Sequence, residues 1–257
     1  MTTRGGGRED GEGLPERAGI APGALRDAER REALQVLSRA GWFRQCPPAT
    51  LERLLHGARV RVYDAGSTIV HRGEHVDRMA VVLSGSLEMS STTAAGRRFV
   101  IAYMAPGELL GIIPLLDGRG AIYDTVAHEP SRVLTIADES FRGALDADAE
   151  LRWRVMRALV GRARRLHASL TDTSVLPVPV RLARVLLSLR AAYGIEGDTI
   201  GLQVSQEGLA AMLGVPRQRI NTELKALERD GVLRMAYRRI ALLDEQALRE
   251  RAEEPVG

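Results

Sequence analysis

The chain has one cysteine, Cys46, and one lysine, Lys225, in 257 residues. A lone cysteine excludes disulfides within the chain and any four-cysteine zinc or iron-sulfur site, which removes a class of redox sensors. With one lysine, nearly all positive charge is arginine, and 36 basic against 33 acidic residues leave a net charge of only +3. The pI of 9.4 permits nucleic acid as a partner without requiring it. No apolar run approaches the roughly 18 residues that span a bilayer, and no N-terminal signal-type apolar segment is present, so the expectation is a cytoplasmic protein with no membrane contact. Catalytic signatures are missing as well: no nucleophile-base pair, metal set or phosphate loop stands out, which argues against an enzyme. The HRGEH stretch from His71 to His75 has a zinc-peptidase spelling, but that chemistry needs both histidines on one helix face, and Gly73 between two expected strands predicts a turn. Neither Cys46 nor a histidine has a sequence partner that would make a haem site.

What is present is ordinary globular composition, 45% hydrophobic and 27% charged, on a chain long enough for two domains. The most informative stretch is Val204 to Gly231, VSQEGLAAMLGVPRQRINTELKALERDG. Ser205 supplies an N-cap hydroxyl, Leu209, Met212 and Leu213 repeat at helical spacing, and Gly214 breaks the helix. A second helix is expected from about Pro216 to Asp230, closed by Gly231. Ile220, Leu224 and Leu227 fall on one side of it; Arg217, Gln218, Asn221, Thr222 and Lys225 fall on another, with no acid among them. This spacing predicts a helix-turn-helix. Arg217, Gln218 and Asn221 are of the types that pair with base edges in a major groove, and Ser205, Thr222 and Lys225 are of the types that hold phosphates. The plainer alternative is an amphipathic surface helix. Gly208 is the weak point, costing about 1 kcal/mol against alanine in a helix interior.

Residues 1–28, with seven glycines scattered among charges, predict a disordered tail. Helices are expected near Arg31 to Ala40 and Ala49 to His56. From Arg59 to Ala137 the period changes to alternation, and RVRVYD, STIV, MAVVLSG, SLEMS, RRFVIAYM, YDTVA and SRVLTI read as short strands of a β-barrel or β-roll. A short helix near Glu139 to Leu145 precedes a long one from Ala149 to Thr173. There Met156, Leu159, Ala163, Leu166 and Leu170 alternate in three- and four-residue steps, a heptad seam that suggests a parallel homodimer, with Trp153 and Val160 turned toward the barrel. Six arginines stud this helix as a solvated face, and Arg162 is a candidate to pair across the dimer. Pro177 and Pro179 end it and mark a hinge. A helix from Val180 to Ala192 follows, and after Gly231 two short strands joined by Tyr237-Arg238 form a wing whose Arg234, Arg238 and Arg239 face phosphates.

The stretches DAGSTIVHRGEHVDRMAVVLSGSLEM and PGELLGIIPLLDG, followed by the long helix and the helix-turn-helix, resemble the cyclic-AMP receptor protein family, the Crp/Fnr transcription regulators, over about residues 31–245. The resemblance implies an α+β fold: a cyclic-nucleotide-binding-type β-roll at 29–148, a dimerisation helix at 149–176 and a winged helix-turn-helix domain at 177–257. It further implies a cyclic nucleotide, cyclic AMP or another, as effector, double-stranded DNA as partner, and RNA polymerase as a further one. In the family a Gly-Glu pair holds the ribose and an Arg-Ser/Thr-Ala run further on holds the cyclic phosphate. Gly107-Glu108 fits the first half. Counted forward, Arg119-Gly120-Ala121 fills the second with a glycine in the hydroxyl place; counted back from YDTVA, Ala121 or Ile122 replaces the arginine, beside Tyr123 and Asp124. An anion buried without its guanidinium costs several kcal/mol. Ser169 matches the position that reaches the nucleotide base, with Leu170 where a second hydroxyl is common. Three regulator readings stay open, gated by a cyclic nucleotide, by another effector or by none; the rival of another class is a cyclic-nucleotide-binding subunit that acts on a protein partner.

Overall fold

A computed structural model describes residues 25–196, 199–200, 203–236 and 239–253; the tail up to Ala24, the wing tip Tyr237-Arg238 and the last four residues lie outside it. The first helix, α1 (Asp27–Arg39), starts ahead of the expected tail boundary, where the Glu29 carboxylate accepts the Arg26 backbone N–H at 3.1 Å and the Arg26 guanidinium at 2.7 Å. It is followed by α2 (Pro48–Leu55) and the strands β1 (Arg59–Tyr63), β2 (Thr68–Val70), β3 (Arg78–Ser84), β4 (Leu87–Thr92), β5 (Arg98–Met104) and β6 (Leu109–Leu110). A short α3 (Ile112–Asp117) interrupts before β7 (Asp124–Ala127), β8 (Ser131–Ala137) and α4 (Asp138–Ala147). The strands make two antiparallel sheets, β1-β8-β3-β6 and β2-β7-β4-β5, the roll expected from the alternation. The strand β6 has two residues and no period to read.

Strands β3 and β8 are buried along most of their length because they are covered twice. On one side α1, α2, α4 and the start of the next helix pack Leu37, Phe43, Leu54, Phe141, Leu151 and Val155 against Met79, Leu134 and Ile136. On the other, inside the roll, Val82 and Val133 meet Leu87, Met104 and Ala127, with Met89 and Leu110 packed against them. The HRGEH stretch is a turn with Gly73 at φ +83°, as its glycine predicted.

The long helix α5 (Ala149–Val175) spans about 40 Å at 1.5 Å per residue. Asp148 caps it, accepting from Leu151 N–H at 3.0 Å and from the Thr50 hydroxyl at 2.8 Å. The C-terminal domain then comprises α6 (Val178–Tyr193), β9 (Ile195–Glu196), β10 (Thr199–Ile200), α7 (Gln206–Leu213), α8 (Arg217–Arg229), β11 (Leu233–Ala236), β12 (Arg239–Leu242) and α9 (Glu245–Glu253). Its sheet runs β11-β12-β10-β9. Pro177 is the N-cap of α6, so the two prolines sit at the joint; Arg184 on α6 reaches back to Asp172 on α5 at 2.8 Å.

The two domains share a core. Val100 and Tyr103 of β5 pack among Leu186, Leu209, Leu213 and Leu224 of the C-terminal domain. Gly208 and Gly214 make this approach possible: a Cβ on Gly208 would stand 2.7 Å from the Tyr103 hydroxyl oxygen, and one on Gly214 2.6 Å from the Phe99 ring. Gly208, costly by helix propensity, is thus a packing requirement. Beside it the His128 ring lies 4.6 Å from that of Tyr103, and its Nε2–H donates to the Gln203 carbonyl at 2.6 Å.

Candidate functional site

The helix-turn-helix forms as its local signals predict. Ser205 Oγ accepts from Gly208 N–H at 2.9 Å, and Gly214 closes α7 in the left-handed conformation. Pro216 takes the N-cap of α8 rather than its first turn. At the other end Gly231 N–H donates to Glu228 and Val232 N–H to Leu227, the paired bonds of a Schellman motif. Ile220, Leu224 and Leu227 are buried, which rolls Arg217, Gln218, Thr222 and Lys225 outward. A cleft of about 520 Å³ runs along the turn, lined by Gln206, Pro216, Arg217, Gln218 and Asn221. Gln206 had no role in the sequence reading; its amide donates to Asn221 Oδ1 at 3.3 Å and so orients that side chain. Thr222 Oγ1 donates to the Gln218 carbonyl.

The acids of α8 are drawn away from this face. Glu223 pairs with Arg219 at 2.7 Å, and Glu228 accepts the Met235 amide of β11 at 2.8 Å. The face therefore presents donors, with the charge of Arg217 at the helix N-terminus, the end whose dipole favours phosphate, and that of Lys225 about two turns on. Arg234 and Arg239 lie exposed on the two wing strands.

On α5 the structure redistributes the apolar residues. Val155 is buried on the roll and Leu159 packs against the same core. Trp153 (57% exposed), Met156 (45%), Val160 (55%) and Leu170 (68%) face outward instead. Trp153 and Val160 thus point away from the barrel, against the expectation, and Leu159 leaves the seam for it. Arg162 also turns inward: it donates to the Leu109 carbonyl at 2.8 Å and lies 5.7 Å over the Trp42 ring, and burial lowers its pKa against the opposing pull of Glu108.

The candidate effector residues are not gathered at one point by contacts. Gly107 and Glu108 form the turn into β6, where Gly107 N–H donates to Val82 at 2.8 Å and the Glu108 carboxylate accepts the Ala105 amide at 2.9 Å. Arg119 is exposed, with its amide on Asp117. The neighbouring segment is fastened to the Gly73 turn, with Gly73 N–H on the Ala121 carbonyl and Ala121 N–H on that of Glu74, at 2.7 and 2.8 Å. The approach is so close that a Cβ on Gly120 would fall 2.3 Å from the Gly73 carbonyl. Ile122, one candidate for the arginine position, is partly exposed, and Ser169 lies exposed on the far half of α5. Among the described residues no group of three His, Cys, Asp or Glu is placed to hold a metal, and no helix is long and apolar enough to cross a membrane.

Comparison with known proteins agrees with this architecture. Residues 60–148 match the cyclic nucleotide-binding domain and residues 180–251 the Crp-like helix-turn-helix domain. The CRP-like cAMP-activated global transcriptional regulator of Mycobacterium tuberculosis is 24% identical over 221 residues, covering 85% of this chain and 99% of that protein. The structure of FixK2 from Bradyrhizobium japonicum superposes with a TM-score of 0.70 at 20% identity, over 77% of this chain and 98% of that one. A Crp-family transcriptional regulator of Thermus thermophilus gives 0.63 at 25% identity, again over 77% and 98%. With both domains matched in order around a long helix, the chain belongs to the Crp/Fnr family of transcription regulators.

Proposed function

We infer that the protein is a homodimeric, sequence-specific DNA-binding regulator in which α8 enters the major groove. The observation that carries this is the outward face of α8, with Arg217, Gln218 and Asn221 at its N-terminal end and both nearby glutamates engaged elsewhere. Arg217, Gln218 and Asn221 read base edges; Ser205, Thr222 and Lys225 hold the backbone. The dimer rests on the outward stripe of α5, since burying each of Trp153, Met156 and Val160 against a second copy is worth about 1.5–3 kcal/mol.

The roll is the sensing end, and a cyclic nucleotide is the effector class that its family match favours. Effector state shifts the population of head orientations about Pro177 and Pro179, and so the fit of two recognition helices to half-sites about 34 Å apart. RNA polymerase is the partner through which such a regulator acts on transcription. Binding to duplex fragments by fluorescence anisotropy tests the reading: Arg217→Ala should flatten the difference between the best fragment and bulk DNA. Equal loss on every fragment would move Arg217 from base reading to backbone contact.

A further inference from the structure

Outside the roll, α1, the Gly107-Glu108 turn and the first half of α5 line an open cavity of about 940 Å³, a volume in the range of small-molecule sites. Arg39, Arg154, Arg157 and Arg165 reach into it, and Glu32 and Glu108 are the two carboxylates on its wall. Glu32 is paired with the guanidinium fork of Arg132 at 2.7 and 3.1 Å, and Glu108 accepts the Ala105 amide while keeping its charge toward the cavity. Arg154 and Arg157 share Glu150, at 3.5 and 3.7 Å, and Arg165 lies close enough to the buried Arg162 to repel it. The cavity thus holds more positive charge than its own walls neutralise.

Gly161 leaves the helical wall of the cavity without a side chain between Arg157 and Arg165. Around the α5 axis at 3.6 residues per turn, the arc of Arg154, Arg157, Gly161 and Arg165 is centred roughly 130° from that of Trp153, Met156, Val160 and Leu170, with Arg157 at its near edge beside Trp153. A dimer made through the apolar stripe therefore leaves the cavity open.

We propose that this cavity binds a small, multiply phosphorylated anion, such as a nucleoside triphosphate, with its phosphates held by Arg39, Arg154, Arg157 and Arg165. Several charges must be met within one small volume, and phosphoryl groups accept the planar forks of several arginines at once, whereas a single carboxylate satisfies one. The site lies on the α1 side of the Gly107-Glu108 turn, where a Cβ on Gly107 would stand 3.4 Å from that of Ala40. Its ligand bridges α1, the roll and the dimerisation helix. Glu108 borders it, and the charge of Glu108 also adds to the burial that raises the Tyr193 phenol at the end of α6.

Trp42 lines the cavity and Trp153 is the chain's other tryptophan. In the full chain carrying Trp153→Phe, emission therefore reports on Trp42, and calorimetry on the unaltered chain gives a second readout. Tripolyphosphate and ATP should each bind saturably, and excess cyclic AMP should displace neither. Arg39→Gln with Arg165→Gln should weaken both by about tenfold or more, while Lys225→Ala on the DNA face leaves them unchanged. If the double variant fails to fold, Arg165→Gln alone, on an exposed position, serves. No saturable binding by either probe, displacement by cyclic AMP, equal binding of citrate, indifference to the arginine changes, or loss with Lys225→Ala would each overturn the proposal. DNA binding by the apo protein, measured separately, is untouched by any of these outcomes.

Discussion

The two ends of the molecule manage their acids in opposite ways. On α8 the glutamates are drawn off the exposed face, Glu223 to Arg219 and Glu228 to a backbone amide, and the face is left to donors. At the roll, Glu108 stays at the site and is stitched into its own turn, while arginines gather from α1 and α5 around it. The α8 face is built from one helix, whereas the arginine-lined cavity beside the roll is assembled from distant parts of the chain. The contrast shows that one cluster of polar side chains can be set by local spacing while another depends on how several elements pack.

The largest test of this contrast is made on the helix that joins the ends. Met156→Glu with Val160→Glu should convert the dimer to a monomer and cut affinity for a two-half-site operator by about a hundredfold or more, because the second head loses its tethered concentration. Light scattering and gel shift on the same sample check it; a variant that stays dimeric moves the interface elsewhere. Next in size, Arg217→Ala should cost about 1–3 kcal/mol on the preferred sequence, whereas Lys225→Ala should weaken all sequences alike and reduce the salt slope by about 1.

Smaller effects probe the joints. Asp148→Ala removes the cap of α5 and should cost about 1 kcal/mol in chemical denaturation near neutral pH. Its carboxyl is held below the usual range, first by the Leu151 amide and also by the Thr50 hydroxyl. A depressed folded pKa means that the contribution is present above the ordinary carboxylate pKa and is lost as pH falls through the folded value, so the stability difference between the two proteins should start to shrink as pH falls through the ordinary carboxylate range and be smallest below the folded value. The smallest test is one of sign. Gly208→Ala gains helix propensity but meets the Tyr103 hydroxyl, so it should be near neutral or destabilising alone and stabilising by up to about 1 kcal/mol once Tyr103→Phe removes that oxygen. Stabilisation by Gly208→Ala alone would deny the close domain contact.

These residues also show what could be read before the structure. Ser205, Gly214, Pro216, Gly231 and the apolar spacing of α8 act within a few positions of one another, so the helix-turn-helix was legible from the chain, as were the alternating strands of the roll. The close contact of Gly208 with Tyr103 depends on a strand from the other domain, and no local pattern carries it. On α5 the apolar residues serve two faces at once, and periodicity alone gave Leu159 to the seam and Trp153 and Val160 to the barrel, the reverse of what packing does. The arginine cavity went unread because Arg39 and Arg165 meet through the fold.

The most direct test of the central claim, that two α8 helices read DNA as a pair, is selection from random duplex DNA by the unaltered protein, followed by sequencing. A twofold-symmetric site should be enriched, with half-site centres about 10 base pairs apart, and the enrichment should collapse with Arg217→Ala. No enriched sequence, or the same site recovered after Arg217→Ala, would contradict it.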